Sequence, residues 1–207
     1  NRWPNVLYLV DTQKPVIALT IDDGPDPVTT PQILNLLAEY NARATFFLIG
    51  DRIAGNEALV HRTIAEDHEI GNHMMSDEPS AQLSPVEFEQ RLLAADEILS
   101  EFTKVRWFRP GSGWYNRQML STLEKHEYQA ALGSVYPFDP HIPSSWLAVQ
   151  HILWNVQPGS IIILHDSGGR GERTLAALEA ILPELSRQGY QVVTLSDLVS
   201  LQENPAR

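Results

Sequence analysis

Cysteine is absent from the 207 residues. That single absence excludes disulfides, thiolate metal sites and a cysteine nucleophile, while leaving the redox compartment open. Positive charge is scarce: 15 Lys and Arg stand against 26 Asp and Glu, for a net charge of −11. A surface of this sign repels nucleic acid and anionic membrane, so neither is expected as a partner. No stretch approaches the roughly 20 consecutive apolar residues of a membrane span. The chain begins at Asn1 rather than an initiator methionine, which points to a trimmed chain whose leader or anchor has been removed and to a secreted or cell-surface location. What is present suffices for a core: at 43% hydrophobic residues, one domain of this length buries a substantial interior without covalent staples. A single-domain monomer spanning residues 1–207, with its core between about 16 and 198, is the expectation.

Apolar runs alternate with helical periodicities. Val16 to Ile21, Ala44 to Ile49 and Ser160 to Leu164 read as buried strands, with shorter ones at Glu69 to Gly71, Val105 to Phe108 and Gln129 to Leu132. Between them, Thr30-Pro31 opens a helix carrying Ile33, Leu34 and Leu37, another helix covers about Asn56 to Asp67, and a third covers Arg117 to His126. Ser84-Pro85-Val86-Glu87 has the form of a capping box, followed by Phe88, Leu92, Ala95, Leu99 and Phe102 on one helical face. A last long helix, about Glu172 to Gln188, stripes Leu175, Leu178, Leu182 and Leu185 and stops at Gly189. Strands that are apolar throughout, rather than alternating with polar residues, belong in a parallel sheet covered by helices, either open or closed into a barrel.

In such folds, sites are built where strands end. Asp22-Asp23 follow Ile21, His73 follows the Glu69 to Gly71 strand, Arg109 follows Phe108, and His165-Asp166 follow Leu164. Each has a plainer explanation. Asp-Asp-Gly-Pro is a good generic turn, a lone arginine more often pairs at the surface, and His165-Asp166 could simply end a strand and cap a helix. The convergence of independent strand ends favours a site. His61, His68, His126, His141 and His151 have no comparable context and read as surface or core residues.

The strings "TIDDGPD", "ATFFLIG", "HEIGNHMMSD", "FRPGSGWY" and "IIILHD", in this order between Val16 and Leu198, resemble the polysaccharide deacetylase family, carbohydrate esterase family 4. The resemblance implies a distorted (β/α) barrel of seven or eight mostly parallel strands. It also implies a divalent metal, most often zinc, with cobalt or manganese as alternatives. The implied activity is removal of N-acetyl groups from an N-acetylglucosamine polymer such as chitin, chitooligosaccharide or peptidoglycan. O-acetyl esterases, cyclic-amide hydrolases and non-catalytic carbohydrate-binding relatives are the alternatives. Carried over residue by residue, Asp22 is the base, Arg109 keeps it ionised and oriented, His165 is the acid, and Asp139 in "SVYPFDP" holds His165. Asp23, His73 and Asp77 hold the metal, and the Ser112 N–H serves the oxyanion.

Two motifs depart from the family pattern. Where the family has a second histidine, this chain has Asp77; the four-residue spacing from His73 is expected to keep both on one face of a helical turn. A carboxylate there is a chemically acceptable ligand that shifts preference towards harder ions, or else the site is crippled. Where the family reads Arg-Pro-Pro-Tyr-Gly, this chain reads Arg109-Pro110-Gly111-Ser112-Gly113. The missing tyrosine ring leaves Trp114 and Tyr115 either to stack on a sugar or to pack in the core.

Overall fold

The structure is a computed structural model that describes residues 6–142 and 144–202. Its axis is β2 (Val16–Gly24), buried at every position. Successive side chains on a strand point to opposite faces, and β2 uses both. Ile17, Leu19 and Ile21 enter the core between sheet and helices. Val16 and Ala18 enter a second core with Phe47, Trp107, Ala131 and Ile161, which fills the barrel interior.

β2 is flanked by β3 (Ala44–Leu48) and β7 (Ile161–His165), and the sheet continues through β4 (Glu69–Asn72), β5 (Trp107–Phe108) and β6 (Gln129–Ala131) to β1 (Val6–Leu7). β8 (Gln191–Val193) pairs with the start of β2. All of these pairings are parallel. The two edges meet through isolated bridges, Val135 to Ile162 and Leu9 to Ser160, with the Val135 N–H donating to the Ile161 carbonyl at 3.1 Å. The result is the expected distorted barrel, with eight strands among the described residues.

Helices α1 (Thr29–Glu39), α2 (Glu57–Ala65), α3 (Pro85–Ser100), α4 (Arg117–Lys125), α5 (Ser145–Asn155) and α6 (Gly169–Arg187) cover the outside. The capping box at Ser84 and Glu87 is formed in both directions, and Phe88, Leu92, Ala95 and Leu99 are buried as their spacing requires. The short α7 (Leu195–Ser200) plugs the end of the barrel where the strands begin. Leu195 and Leu198 enter the interior core, the Leu195 N–H donates to Thr45 Oγ1 at 2.9 Å, and Trp107 Nε1 donates to Ser196 Oγ at 2.9 Å. With that end of the interior plugged, the barrel interior opens to solvent through a cleft at the carboxyl ends of the strands.

Two local expectations are corrected. Regular strand at the fifth position is confined to Trp107–Phe108 rather than starting at Val105. The segment from His73 to Asp77 is not a helical turn: it is irregular at His73 and Met74 and bends from Met75 on. Met74 has a left-handed φ of 70° and its N–H is taken by the Asn72 side chain at 2.8 Å. A local side-chain acceptor competes with the helical hydrogen bond here, so spacing alone does not place His73 and Asp77 together.

Candidate active site

Strand alternation delivers the first set of residues. On β2, Val16, Ala18, Thr20 and Asp22 share the interior face, and on β7 the same period brings Ile161, Ile163 and His165 inward. β2 and β7 are neighbours with Asp22 in register with His165. Trp107 points inward from β5, Phe108 outward, and Arg109 inward again. The cleft these residues reach has a volume of about 760 Å³ and is lined by Asp22, Asp23, His73, Arg109 and His165.

Arg109 is fully enclosed. Its Nη1 donates to Asp22 Oδ1 and to Thr20 Oγ1, each at 2.6 Å. Nε donates to the Ala131 carbonyl at 3.0 Å and Nη2 to the Leu132 carbonyl at 3.3 Å, while the guanidinium carbon lies 4.2 Å from the Phe47 ring centroid. A buried ion pair is tolerated only when the remaining donors are satisfied in this way. Asp22 is thereby fixed as an oriented carboxylate at the floor of the cleft.

Asp23 faces elsewhere although it is the next residue. A shift of register between Asp22 and Gly24 breaks the ladder with β3, and Asp23 takes a left-handed φ of 74°. That conformation is uncommon outside glycine and persists only when its surroundings enforce it. Here Arg52 grips the Asp23 carbonyl. The Asp23 carboxylate then stands 3.5 Å from His73 Nε2 through Oδ1 and 2.9 Å from Arg170 Nη1 through Oδ2. Burial alone would raise its pKa; the His73 contact and the nearby cationic groups outweigh that and hold it well below the usual carboxylate range. His73 is itself oriented by its Nδ1, 2.7 Å from the Arg109 carbonyl.

His165 Nδ1 lies 2.8 Å from Asp139 Oδ2. Burial opposes charge on the imidazole, yet the Asp139 hydrogen bond and the nearby Asp22 charge outweigh it and raise the pKa. Asp139 is turned inward by the preceding residue, Phe138, at a left-handed φ of 60°, and its carbonyl accepts from Arg173 Nη2 at 3.3 Å. Asp166, next to His165, serves the framework by accepting hydrogen bonds from the Thr29 and Thr30 hydroxyls at the start of α1. Burial pushes its pKa up to about 6.

The remaining expected residues are distributed less simply. Ser112 lines the cleft from a turn over Gly111–Gly113 in which it has a φ of 60°. Trp114 lines the cleft and is 72% exposed. Of the two readings open for Tyr115, the structure takes the packed one: it lies against the core with its hydroxyl 2.7 Å from that of Tyr8, and it is Tyr8 that reaches the cleft wall. Asp77 also borders the cleft, but its Oδ2 lies 3.5 Å from Arg170 Nη1. Among the described residues, no three His, Asp or Glu side chains converge closely enough to hold a metal ion. As arranged, Asp23, His73 and Asp77 are a suitable set of donor types in an unsuitable place, because Arg170 stands between the two carboxylates.

Several cleft residues carry little mark in the sequence. Arg170 lies in "SGGRGE", a glycine-rich string with no periodicity to single it out. Tyr136, Phe138 and His141 also line the cleft. Their only signal is the proline-rich stretch around Asp139, and His141 is a surface residue, as expected, at the cleft's border.

The site is thus a carboxylate–arginine pair and a histidine–aspartate pair at the mouth of a parallel barrel. The chain belongs to the polysaccharide deacetylase family, whose sequence profile matches residues 9–131. A peptidoglycan-N-acetylglucosamine deacetylase of Bacillus cereus is 40% identical over 197 residues, covering 94% of this chain and 92% of that protein. A chitooligosaccharide deacetylase of a Bradyrhizobium species is 32% identical, covering 88% and 90%. Among solved structures, the Bc1960 peptidoglycan N-acetylglucosamine deacetylase superposes with a TM-score of 0.89 at 30% identity, covering 97% of this chain and 95% of its own. BA3943 of Bacillus anthracis, described as a pseudoenzyme of carbohydrate esterase family 4, superposes with a TM-score of 0.87 at 25% identity, covering 98% and 71%.

Proposed function

We propose that this protein is a polysaccharide N-deacetylase that releases acetate from N-acetylglucosamine units of a chitooligosaccharide or peptidoglycan strand. The observation that carries the reading is the pairing of two differently tuned dyads across one cleft, Asp22 with Arg109 and His165 with Asp139. Amide hydrolysis needs a base for the attacking water and an acid for the departing amine. Asp22 takes the proton from water as its oxygen bonds to the acetyl carbon. Arg109 fixes the orientation of that carboxylate. His165, protonated with the support of Asp139, gives its proton to the amide nitrogen as the carbon–nitrogen bond breaks, leaving acetate and a free amine. The Ser112 backbone N–H is the proposed donor to the developing oxyanion, and Trp114 offers a face on which a sugar ring can stack. A polymer of this kind is met at or beyond the cell surface, which is the proposed location.

A second reading, a glycan-binding relative without turnover, is favoured by one feature: Arg170 lies between the carboxylates expected to hold the ion. Acetate release from chitin oligomers and from N-acetylated peptidoglycan fragments separates the two. The assay uses metal-stripped protein with zinc, cobalt or manganese returned singly, beside Asp22→Asn as the blank. Release by the wild-type protein above that blank supports the deacetylase. Saturable oligosaccharide binding without release under any condition supports the second reading.

A further inference from the structure

We propose that Arg170 is this chain's own counter-ion for the Asp23–Asp77 carboxylate pair and that a divalent cation can bind there only by displacing it. Arg170 sits at the start of α6, directly after Gly168 and Gly169, and its guanidinium reaches back over the cleft. One nitrogen, Nη1, serves both partners, at 2.9 Å from Asp23 Oδ2 and 3.5 Å from Asp77 Oδ2. Those carboxylates come from different elements, the end of β2 and the loop after β4. A divalent ion would bridge the same gap.

Three further facts support competition rather than a passive surface pair. Asp23 is almost wholly buried, with 2% of its side chain exposed, so its charge has little help from solvent. His73 is already oriented, Nδ1 fixed by the Arg109 carbonyl and Nε2 turned towards Asp23, as a ligand is oriented by its outer neighbours. His73 and Asp23 therefore stand side by side, while Asp77 meets Arg170. Arg170 itself is 37% exposed, so it can swing into solvent without opening the core. A guanidinium spreads one charge over a planar fork, whereas a divalent ion places two at one point between oxygen and nitrogen donors. Each satisfies the same carboxylates, and the space between them admits one at a time.

Because these donors belong to the site assigned above to deacetylation, the decisive experiment reads binding, independently of turnover. Zinc affinity is measured by competition with a chromogenic chelator for the metal-stripped wild type, Arg170→Gln, Arg170→Lys and the double variant Arg170→Gln/Asp77→Ala. Arg170→Gln is expected to tighten zinc by about tenfold or more, the worth of one charge-assisted hydrogen bond no longer in competition. Arg170→Lys falls between, since an ammonium is a poorer bridge. The gain disappears in the double variant, because the released Asp77 is what closes on the ion. A second measurement needs no variant: on adding zinc to the wild type, Arg170 should react faster with an arginine-specific dicarbonyl reagent, read by peptide mass spectrometry. Equal or weaker zinc binding by Arg170→Gln, or no gain in Arg170 reactivity on zinc addition, overturns the proposal. Loss of acetate release with the binding order preserved would instead count against the deacetylase reading alone.

Discussion

Asp22 and Asp23 are adjacent, alike and buried, and they are held in opposite ways. Asp22 belongs to a strand and is matched by an arginine that is 2% exposed and tied to two backbone carbonyls. Asp23 is the next residue of the same strand, at the break in its ladder with β3, and answers to an imidazole and to an arginine from a helix start. The first arrangement is enclosed on both sides. The second has one partner that is more than one-third exposed. Two adjacent carboxylates at one strand end thus differ in how far their arginine partners are withdrawn from solvent.

Breaking the rigid side should have the largest effects. Asp22→Asn is expected to lower acetate release by about 10²- to 10⁴-fold, the usual worth of a general base. Fold, checked by circular dichroism, should be retained; most of the activity surviving would show that Asp22 is not the base. Arg109→Met removes a charge that is enclosed with its partner and leaves Asp22 unpaired in the interior. Urea unfolding should then show a loss of about 3–5 kcal/mol. A loss near zero would mean that solvent reaches Asp22 freely.

The acid side yields a pH shift rather than a loss. Because the pKa of His165 is raised, the protonated acid persists above about 6.5, the ordinary value for histidine. The limb of the kcat/KM profile that falls with rising pH should lie above that value. Asp139→Asn removes the hydrogen-bonded charge and moves this limb to lower pH, with kcat reduced more than KM is raised. An unmoved limb would assign it to another group. The smallest effect is expected at the rim: Trp114→Ala should raise KM for long oligomers by about tenfold or less, with kcat near wild type. An equal effect on a monosaccharide substrate would argue against stacking along a chain.

How much of this is legible in the sequence depends on period. β2, β7 and α3 are readable because continuous apolar runs and a capping box state their own geometry, and strand parity carries Asp22, Arg109 and His165 to one face. β1, β8, α5 and α7 are not. The two strands have only two and three residues, too few to show a period, and α5 exposes Trp146 and Trp154 at 65% and 78%, so no clean apolar stripe marks it. The helical turn expected between His73 and Asp77 fails because Asn72 intercepts the Met74 N–H, a choice the four-residue spacing does not reveal. Arg170 is hidden for a related reason: what places it is the turn ahead of α6, and glycines there permit many conformations without announcing one.

The third-motif glycine ties the two unusual loops together. A Cβ on Gly111 would lie 2.0 Å from the Glu78 carbonyl oxygen, and the Gly111 N–H donates to Ser80 Oγ at 3.2 Å. Backbone thus meets backbone where the segment bearing Asp77 crosses the segment bearing Ser112, and a proline at position 111, as in the usual motif, has no room there. A side chain at position 111 would press on the Glu78 backbone, one residue from Asp77, so the loops that carry Asp77 and Ser112 fix each other's course.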